Sequence, residues 1–395
     1  MPKKILILSG SIGTGHTRAA QAVEKALSVL DSSAEVRHED ALNFANAAFR
    51  TIYQQAYIQS VNKAPEILGW IYNQSERVWP ENSYGLAFER WNALPLVKLL
   101  RDYSPDIVVS THTLPVDMTS WLICKKAINT QHAIIVTDYE TNPLWRAEHY
   151  SRYFAASEEV KRELMYQEYK EELITVSGIP IDPVFALKKD RQEMRKKHRL
   201  SPEKIIILTS AGGLGMGPID NILQALIELE ENVQILAICG ANEELKTNLE
   251  NSLDQYTKGG SEAKLKILGY TNEMDELMSA ADLVLGKPGG LTSSEALAKG
   301  LVFVIVNPIP GQEERNSDHL LENGAAIRCN SLGVLTYKLN SLLKDKERFH
   351  AMSQRALQCA KPNSASIIAN EILSMIQAPT ACATHPDNHT CRKLF

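Results

Sequence analysis

Residues 286–316, GKPGGLTSSEALAKGLVFVIVNPIPGQEERN, decide the fold. The stretch is entered from an apolar run at 280–286, AADLVLG, which reads as a buried parallel strand. The run breaks at Lys287-Pro288-Gly289-Gly290, where two glycines let backbone approach a ligand closely. A helix begins there, with Thr292, Ser293 and Ser294 in its first turn. The N–H groups, hydroxyls and positive dipole end of such a turn suit a phosphate or pyrophosphate. Glu295 is badly placed for a phosphate but well placed to accept hydrogen bonds from a ribose diol. A nucleotide-diphosphate ligand satisfies both facts.

Working outward, the same punctuation recurs. Residues 4–9 form an apolar strand broken by Gly10, Gly13 and Gly15, and a helical pattern runs from His16 to about Leu30. Strands are expected at 106–110, 133–137 and 153–155. At 204–210 the pattern restarts as a strand, a glycine loop at 212–217 and a helix from Ile219, followed by strands at 234–238, 264–268, 283–285 and 303–306. Alternating strand and helix implies parallel sheets covered on both faces, hence an α/β chain of two Rossmann-like halves. Gly178, Pro180 and Pro183 punctuate the junction, giving domains 1–180 and 181–377, with little order expected over 378–395.

Length and composition agree with this. A chain of 395 residues fits two domains of ordinary size. A net charge of −5 argues against general nucleic-acid binding, so no nucleic-acid partner is expected. No apolar run approaches the roughly 18 to 20 residues of a membrane span, and the N-terminus lacks a signal-peptide pattern, so a cytoplasmic protein is expected. The six cysteines lack CxxC spacing and read as reduced thiols. Cys382, His385, His389 and Cys391 crowd the tail, where a zinc site is conceivable but a disordered tail is the default.

Rossmann sheets bind ligands at the carboxyl ends of their strands. Three polar loops of the first half fall there, at 9–16, 110–115 and 137–145, and direct His16, His112 and Asp138 toward one crevice. His16 is the first candidate for a general base, exposed by the glycines before it, Gly15 included. Its bland alternative is a helix-start histidine that packs on the loop. Asp138 is the second candidate, and a strand-ending, turn-capping Asp explains it equally well. His112 is weaker, since STHTLP also reads as an ordinary strand-to-turn passage. Residues 49–97 are aromatic and amphipathic, suited to a bilayer interface or to an inserted helical pair. The basic run 188–199 suits anionic headgroups or a solvated helix face.

KPGGLTxSEALAKGL followed by PIPGQEExN resembles the donor-site signature of family 28 glycosyltransferases, in particular the monogalactosyl- and processive glucosyl-diacylglycerol synthases. The resemblance spans about residues 4–377 and implies a GT-B fold, two Rossmann-like domains with parallel sheets facing an interdomain cleft. It further implies an inverting transfer of a hexose from UDP-glucose or UDP-galactose to a lipid hydroxyl, diacylglycerol first, without a metal or other cofactor. Gly289, Gly290, Leu291, Thr292, Ser293 and Glu295 would then hold UDP, with Gly212 and Gly213 lining the donor phosphates. Gln312 and Glu313 would hold the donor sugar, His16 with Asp138 would activate the acceptor, and Gly15, His112, Asn142 and Trp145 would lie on the acceptor side. A lipid acceptor implies peripheral association with the inner face of the membrane.

Three departures from the family pattern bear on this. Val302 stands where proline is usual, which predicts a looser entry to the next strand. Asn142 replaces a histidine in TDYETNPLW, and Ala211 replaces a glycine of the second loop. Transfer to another lipid, UDP-sugar epimerisation and non-catalytic UDP-sugar binding remain the rival readings.

Overall fold

The computed structural model describes residues 2–11, 14–44, 50, 94–210, 219–252, 264–379 and 381–386. Most of the aromatic segment 49–97 and the loop with Ala211, Gly212 and Gly213 lie outside the described residues. The chain forms two compact units. Unit 1 comprises Met1–Pro183, Ile309–Arg315 and Lys361–Phe395, and unit 2 comprises Val184–Pro308 and Asn316–Ala360.

Unit 1 contains β1 (Lys4–Ser9), β2 (Glu35–Asp40), β3 (Ile107–Ser110), β4 (Gln131–Ile135), β5 (His149–Tyr150), β6 (Arg152–Ala155) and β7 (Ile174–Val176). All but β5 make one parallel sheet in the order β2-β1-β3-β4-β6-β7. Ile5 to Leu8 are fully buried, as a central strand covered on both faces requires. On one face, Ala20, Val23 and Leu27 of helix Gly15–Leu30 share a core with Ile368, Ala369 and Ile372 of helix Ser364–Gln377. On the other, helices Leu94–Tyr103 and Thr113–Cys124 contribute Leu96, Leu100, Met118 and Leu122.

Unit 2 contains β8 (Ile205–Ser210), β9 (Val233–Ile238), β10 (Leu265–Leu268), β11 (Leu283–Gly286), β12 (Val302–Val306) and β13 (Ala326–Cys329), all parallel, in the order β10-β9-β8-β11-β12-β13. In each sheet the strand order reverses beside the first strand, between β1 and β3 and between β8 and β11. Those crevices at the carboxyl ends are where open α/β sheets take ligands.

Entry to β12 is well held without proline. Gly300 adopts φ +67, its N–H donates to Leu297 O at 3.0 Å, and Leu301 N–H donates to Ala296 O at 3.0 Å. Val302 itself is fully buried and paired to Leu283.

Two expectations change. Residues 381–386 are not a loose tail: β14 (Ala383–Thr384) pairs antiparallel with β5, and Cys382 Sγ lies 3.2 Å from Ser151 Oγ. His385 is buried, with Nε2 2.6 Å from Gln167 O and its ring 4.6 Å from that of Tyr169. Among the described residues no cluster of His, Cys, Asp and Glu has the form of a metal site. Cys239, Cys329 and Cys382 are free thiols, whereas Cys124 is disulfide-bonded, against the reading of six reduced cysteines.

The basic run is committed within unit 2. Lys189 pairs with Asp275 at 2.5 Å, Arg191 and Arg195 with Asp282 at 2.9 and 2.6 Å, and Lys197 with Glu273 at 2.9 Å. Helix Arg191–Lys197 thus lies against the acidic helix Met274–Ala280, with Arg195 buried at the contact while Arg191 and Lys197 keep about half of their side chains exposed.

Candidate active site

Helix Gly15–Leu30 opens directly after the first glycine loop, which puts His16 in its first turn at the carboxyl end of β1. His16 Nδ1 lies 2.8 Å from the Thr111 carbonyl and 2.9 Å from Thr137 Oγ1. A carbonyl only accepts, so Nδ1 carries the proton and Nε2 keeps its lone pair. Thr111 grips the residue twice, its hydroxyl donating to the His16 carbonyl at 3.0 Å. Burial pushes the His16 pKa down to about 4, with the Thr111 bond opposing. The imidazole is therefore neutral at pH 7.

His112 caps helix Thr113–Cys124, its Nδ1 accepting the Leu114 N–H at 3.1 Å. Burial and the neighbouring His16 hold its pKa well below the ordinary value. A Cβ on Gly10 would meet the His112 ring at 2.7 Å, so glycine there makes room for the imidazole. Asn142 accepts the Leu144 N–H at 2.9 Å and caps the short helix Pro143–Trp145. Trp145 is buried, its ring centroid 6.4 Å from that of His16. The structure thus brings His16, His112 and Trp145 together. Thr111 and Thr137 complete the cradle; the only sequence signal for them was a threonine just past each strand, in STHT and VTD.

Asp138 is buried and its Oδ2 accepts Gln312 Nε2 at 2.5 Å. Gln312 starts helix Gln312–Glu322, whose first-turn acids fold the loop before it: Glu313 accepts the Ile309 N–H at 2.6 Å and Glu314 the Gly311 N–H at 3.2 Å. Gly311 has φ +88, a conformation that favours glycine. Residues 309–315 belong to unit 1, so these contacts lie within one unit.

In unit 2, helix Gly290–Ala298 begins after β11 with Gly289 as N-cap and no side-chain cap bond. Gly290, Leu291, Ser293 and Glu295 are buried, and Thr292 is partly exposed. Ser294 Oγ donates back to Gly290 O at 2.8 Å. Ser293 Oγ, by contrast, is buried without a hydrogen-bond partner. A buried hydroxyl left open beside an uncapped helix N-terminus fits a bound phosphate oxygen.

Comparison with known proteins bears on both units. The profile of the family described as monogalactosyldiacylglycerol (MGDG) synthase matches residues 16–181, and that of glycosyl transferases group 1 matches residues 190–358. A processive diacylglycerol beta-glucosyltransferase of Staphylococcus carnosus is 30% identical over 355 residues, 89% of this chain and 88% of that protein. One of Bacillus licheniformis is 28% identical over 372 residues, 94% of each. Among solved structures, MurG of Acinetobacter baumannii superposes with a TM-score of 0.62 at 18% identity, covering 95% of this chain and 100% of that one. UDP-GlcNAc 2-epimerase of Neisseria meningitidis, bound to UDP-GlcNAc, gives 0.58 at 15% identity, covering 94% and 100%. At that identity both show a shared GT-B-type fold and no more.

Proposed function

The chain belongs to the family of the processive diacylglycerol beta-glucosyltransferases, and from that premise we propose how its residues carry out hexosyl transfer. The protein is a UDP-sugar-dependent hexosyltransferase that moves a hexose to diacylglycerol and so makes glycolipid. We assign glucose as the hexose, since the relatives are named for it.

The reaction is a single displacement at the anomeric carbon. The lipid hydroxyl oxygen forms the new glycosidic bond, the bond to the β-phosphate oxygen breaks, and UDP leaves with the electron pair. The hydroxyl proton passes to His16 Nε2. The observation that carries this reading is the hold on Nδ1 by Thr111, which fixes the tautomer that leaves Nε2 able to accept. A base with a pKa near 4 presents its lone pair in every molecule at neutral pH, but its pull on the proton is small. Much of the driving force must then come from stabilising the departing diphosphate, the task of the helix N-terminus at Gly290 and the open Ser293 hydroxyl. Glu295 would hold the ribose, with Gln312 and Glu313 at the sugar.

Diacylglycerol resides in a bilayer, so the enzyme works at a membrane surface, which we place at the inner face. No helix among the described residues is long and apolar enough to cross a membrane. The test is UDP release from UDP-glucose and from UDP-galactose, with and without diacylglycerol vesicles, alongside mass spectrometry of the lipid. Vesicle-dependent release with a glucosyl-lipid product supports the assignment. Sugar isomerisation or vesicle-independent release overturns it.

A further inference from the structure

The loop after β4 carries two carboxylates two residues apart, and each takes a side chain from the first turn of helix Gln312–Glu322. Asp138 Oδ2 accepts Gln312 Nε2 at 2.5 Å, and Glu140 Oε1 pairs with Arg315 Nε at 3.0 Å. Gln312 and Arg315 stand three residues apart and so share one face of the helix. The loop is pinned from its other side as well: Thr141 N–H donates to Glu163 Oε2 at 2.7 Å, and Gln167 Nε2 donates to Thr141 Oγ1 at 3.0 Å. Both partners of the double contact are thus held independently of it, one by helix Glu158–Tyr166 and its successor Gln167, the other by the bonds of Glu313 and Glu314 to the backbone of Ile309 and Gly311.

A carboxylate only accepts, so Asp138 dictates which end of the Gln312 amide faces it. One N–H is used. The remaining N–H and the carbonyl oxygen are left in a fixed orientation, a donor and an acceptor suited to adjacent hydroxyls of a sugar. Asp138 had a second reading as a proton acceptor beside His16, but its Oδ2 is already engaged by Gln312.

We propose that Asp138 is a positioning residue that aims the Gln312 amide at the donor sugar, with the Glu140–Arg315 ion pair as a second fastening of the same helix turn. This rests on the assignment of Gln312 to the donor sugar in the transfer reaction. Asp138 acts through Gln312 and takes no proton from the acceptor. Glu140 and Arg315 are assigned no substrate contact and act here through the turn they fasten.

Two readouts on the full-length protein test this, one of them independent of turnover. The first is the affinity of UDP-glucose relative to UDP without lipid, which isolates the sugar's contribution. The second is kcat with diacylglycerol vesicles. Asp138→Asn keeps an oxygen to accept the amide and is expected to lose roughly threefold in both. Asp138→Leu is expected to lose at least about tenfold in both, with UDP affinity itself unchanged. Glu140→Gln and Arg315→Gln are each expected to lose roughly two- to fivefold, and the charge-exchanged pair Glu140→Arg with Arg315→Glu to regain it. A fall of about a hundredfold or more in kcat for Asp138→Asn, the size of a lost base, overturns the proposal. So does an unchanged sugar contribution in Asp138→Leu. If the wild-type protein transfers nothing while the sugar contribution still follows this order, the positioning stands and the transfer reading fails.

Discussion

The His16 imidazole stands edge-on to the His112 ring, with centroids 4.7 Å apart and planes at 87°. Burial lowers the pKa of both imidazoles, and a charge on His16 further disfavours protonation of His112. The acid limb of activity should therefore lie far below the ordinary histidine range. The expected profile of kcat/KM is flat from about pH 8 down to about pH 6, falling only toward the His16 pKa of about 4. A limb centred near 6.5 would show that His16 is not the base. His16→Gln should lower kcat by roughly a hundredfold or more while UDP affinity, read by calorimetry, is retained.

Ser293 offers a separation of stability from binding. Its hydroxyl is buried without a partner, so Ser293→Ala removes an unsatisfied group and should leave the melting temperature equal or higher. The same change deletes a hydrogen bond to the diphosphate and should weaken UDP by about tenfold, the usual scale for a hydroxyl bonded to a charged group. Loss of stability together with unchanged UDP affinity would remove Ser293 from the site.

Glu163 should make stability fall with rising pH. Burial raises its pKa to about 7, with the Thr141 N–H opposing and Glu140 and Glu159 adding to the rise. A carboxyl whose pKa is raised on folding contributes stability that is complete below the unfolded value near 4.5 and is lost as pH climbs through about 7. Glu163→Gln can still accept from Thr141 and carries no charge. The difference in melting temperature between the variant and the wild type should grow from about pH 5 to about pH 8 in favour of the variant, and a constant difference would refute the assignment.

Asp282 anchors the basic helix of unit 2. Its Oδ2 takes both Arg195 at 2.6 Å and the Ile206 N–H at 2.7 Å, and Arg195 is itself buried. Asp282→Ala strands a buried guanidinium and should cost about 3–5 kcal/mol. Arg191→Ala breaks only an exposed arm of the same cluster and should cost no more than about 1 kcal/mol. Hydrogen exchange of the β8 and β11 amides reads unit 2 by itself, and equal losses in the two variants would contradict this ranking.

The fold was legible because its signals are local. Apolar runs such as IIILTS and LVLG, each leading into a glycine-bearing loop, need no partner to declare a buried parallel strand, and the reversal of strand order then locates both crevices. The contacts that give the candidate site its chemistry are not local. Asp138 and Gln312 are 174 residues apart, and nothing in TDYE or PGQEE announces that they meet. Lys189 and Arg195 read as a free basic face because their acids lie more than eighty residues on. Glu163 sits in EEVKRELMY, an ordinary amphipathic helix, and it is burial in the folded unit, against the pull of the Thr141 N–H, that raises its pKa. The 381–386 segment is polar and turn-rich, and what orders it is a two-residue ribbon and a histidine slot built by β5 and Tyr169.

Helix Ser364–Gln377 fills the core of unit 1, although the unit's first strand begins at Lys4. A ribosome delivers that helix only after the whole of unit 2 has emerged. The unit that starts first must therefore finish second, the face of its sheet that holds Ile7, Val109 and Ile135 covered only in part, by helix Gly15–Leu30, until residues 364–377 arrive. During synthesis the nascent chain carries an apolar surface for most of its length, and a stop codon anywhere before Ser364 yields a protein in which that surface never closes.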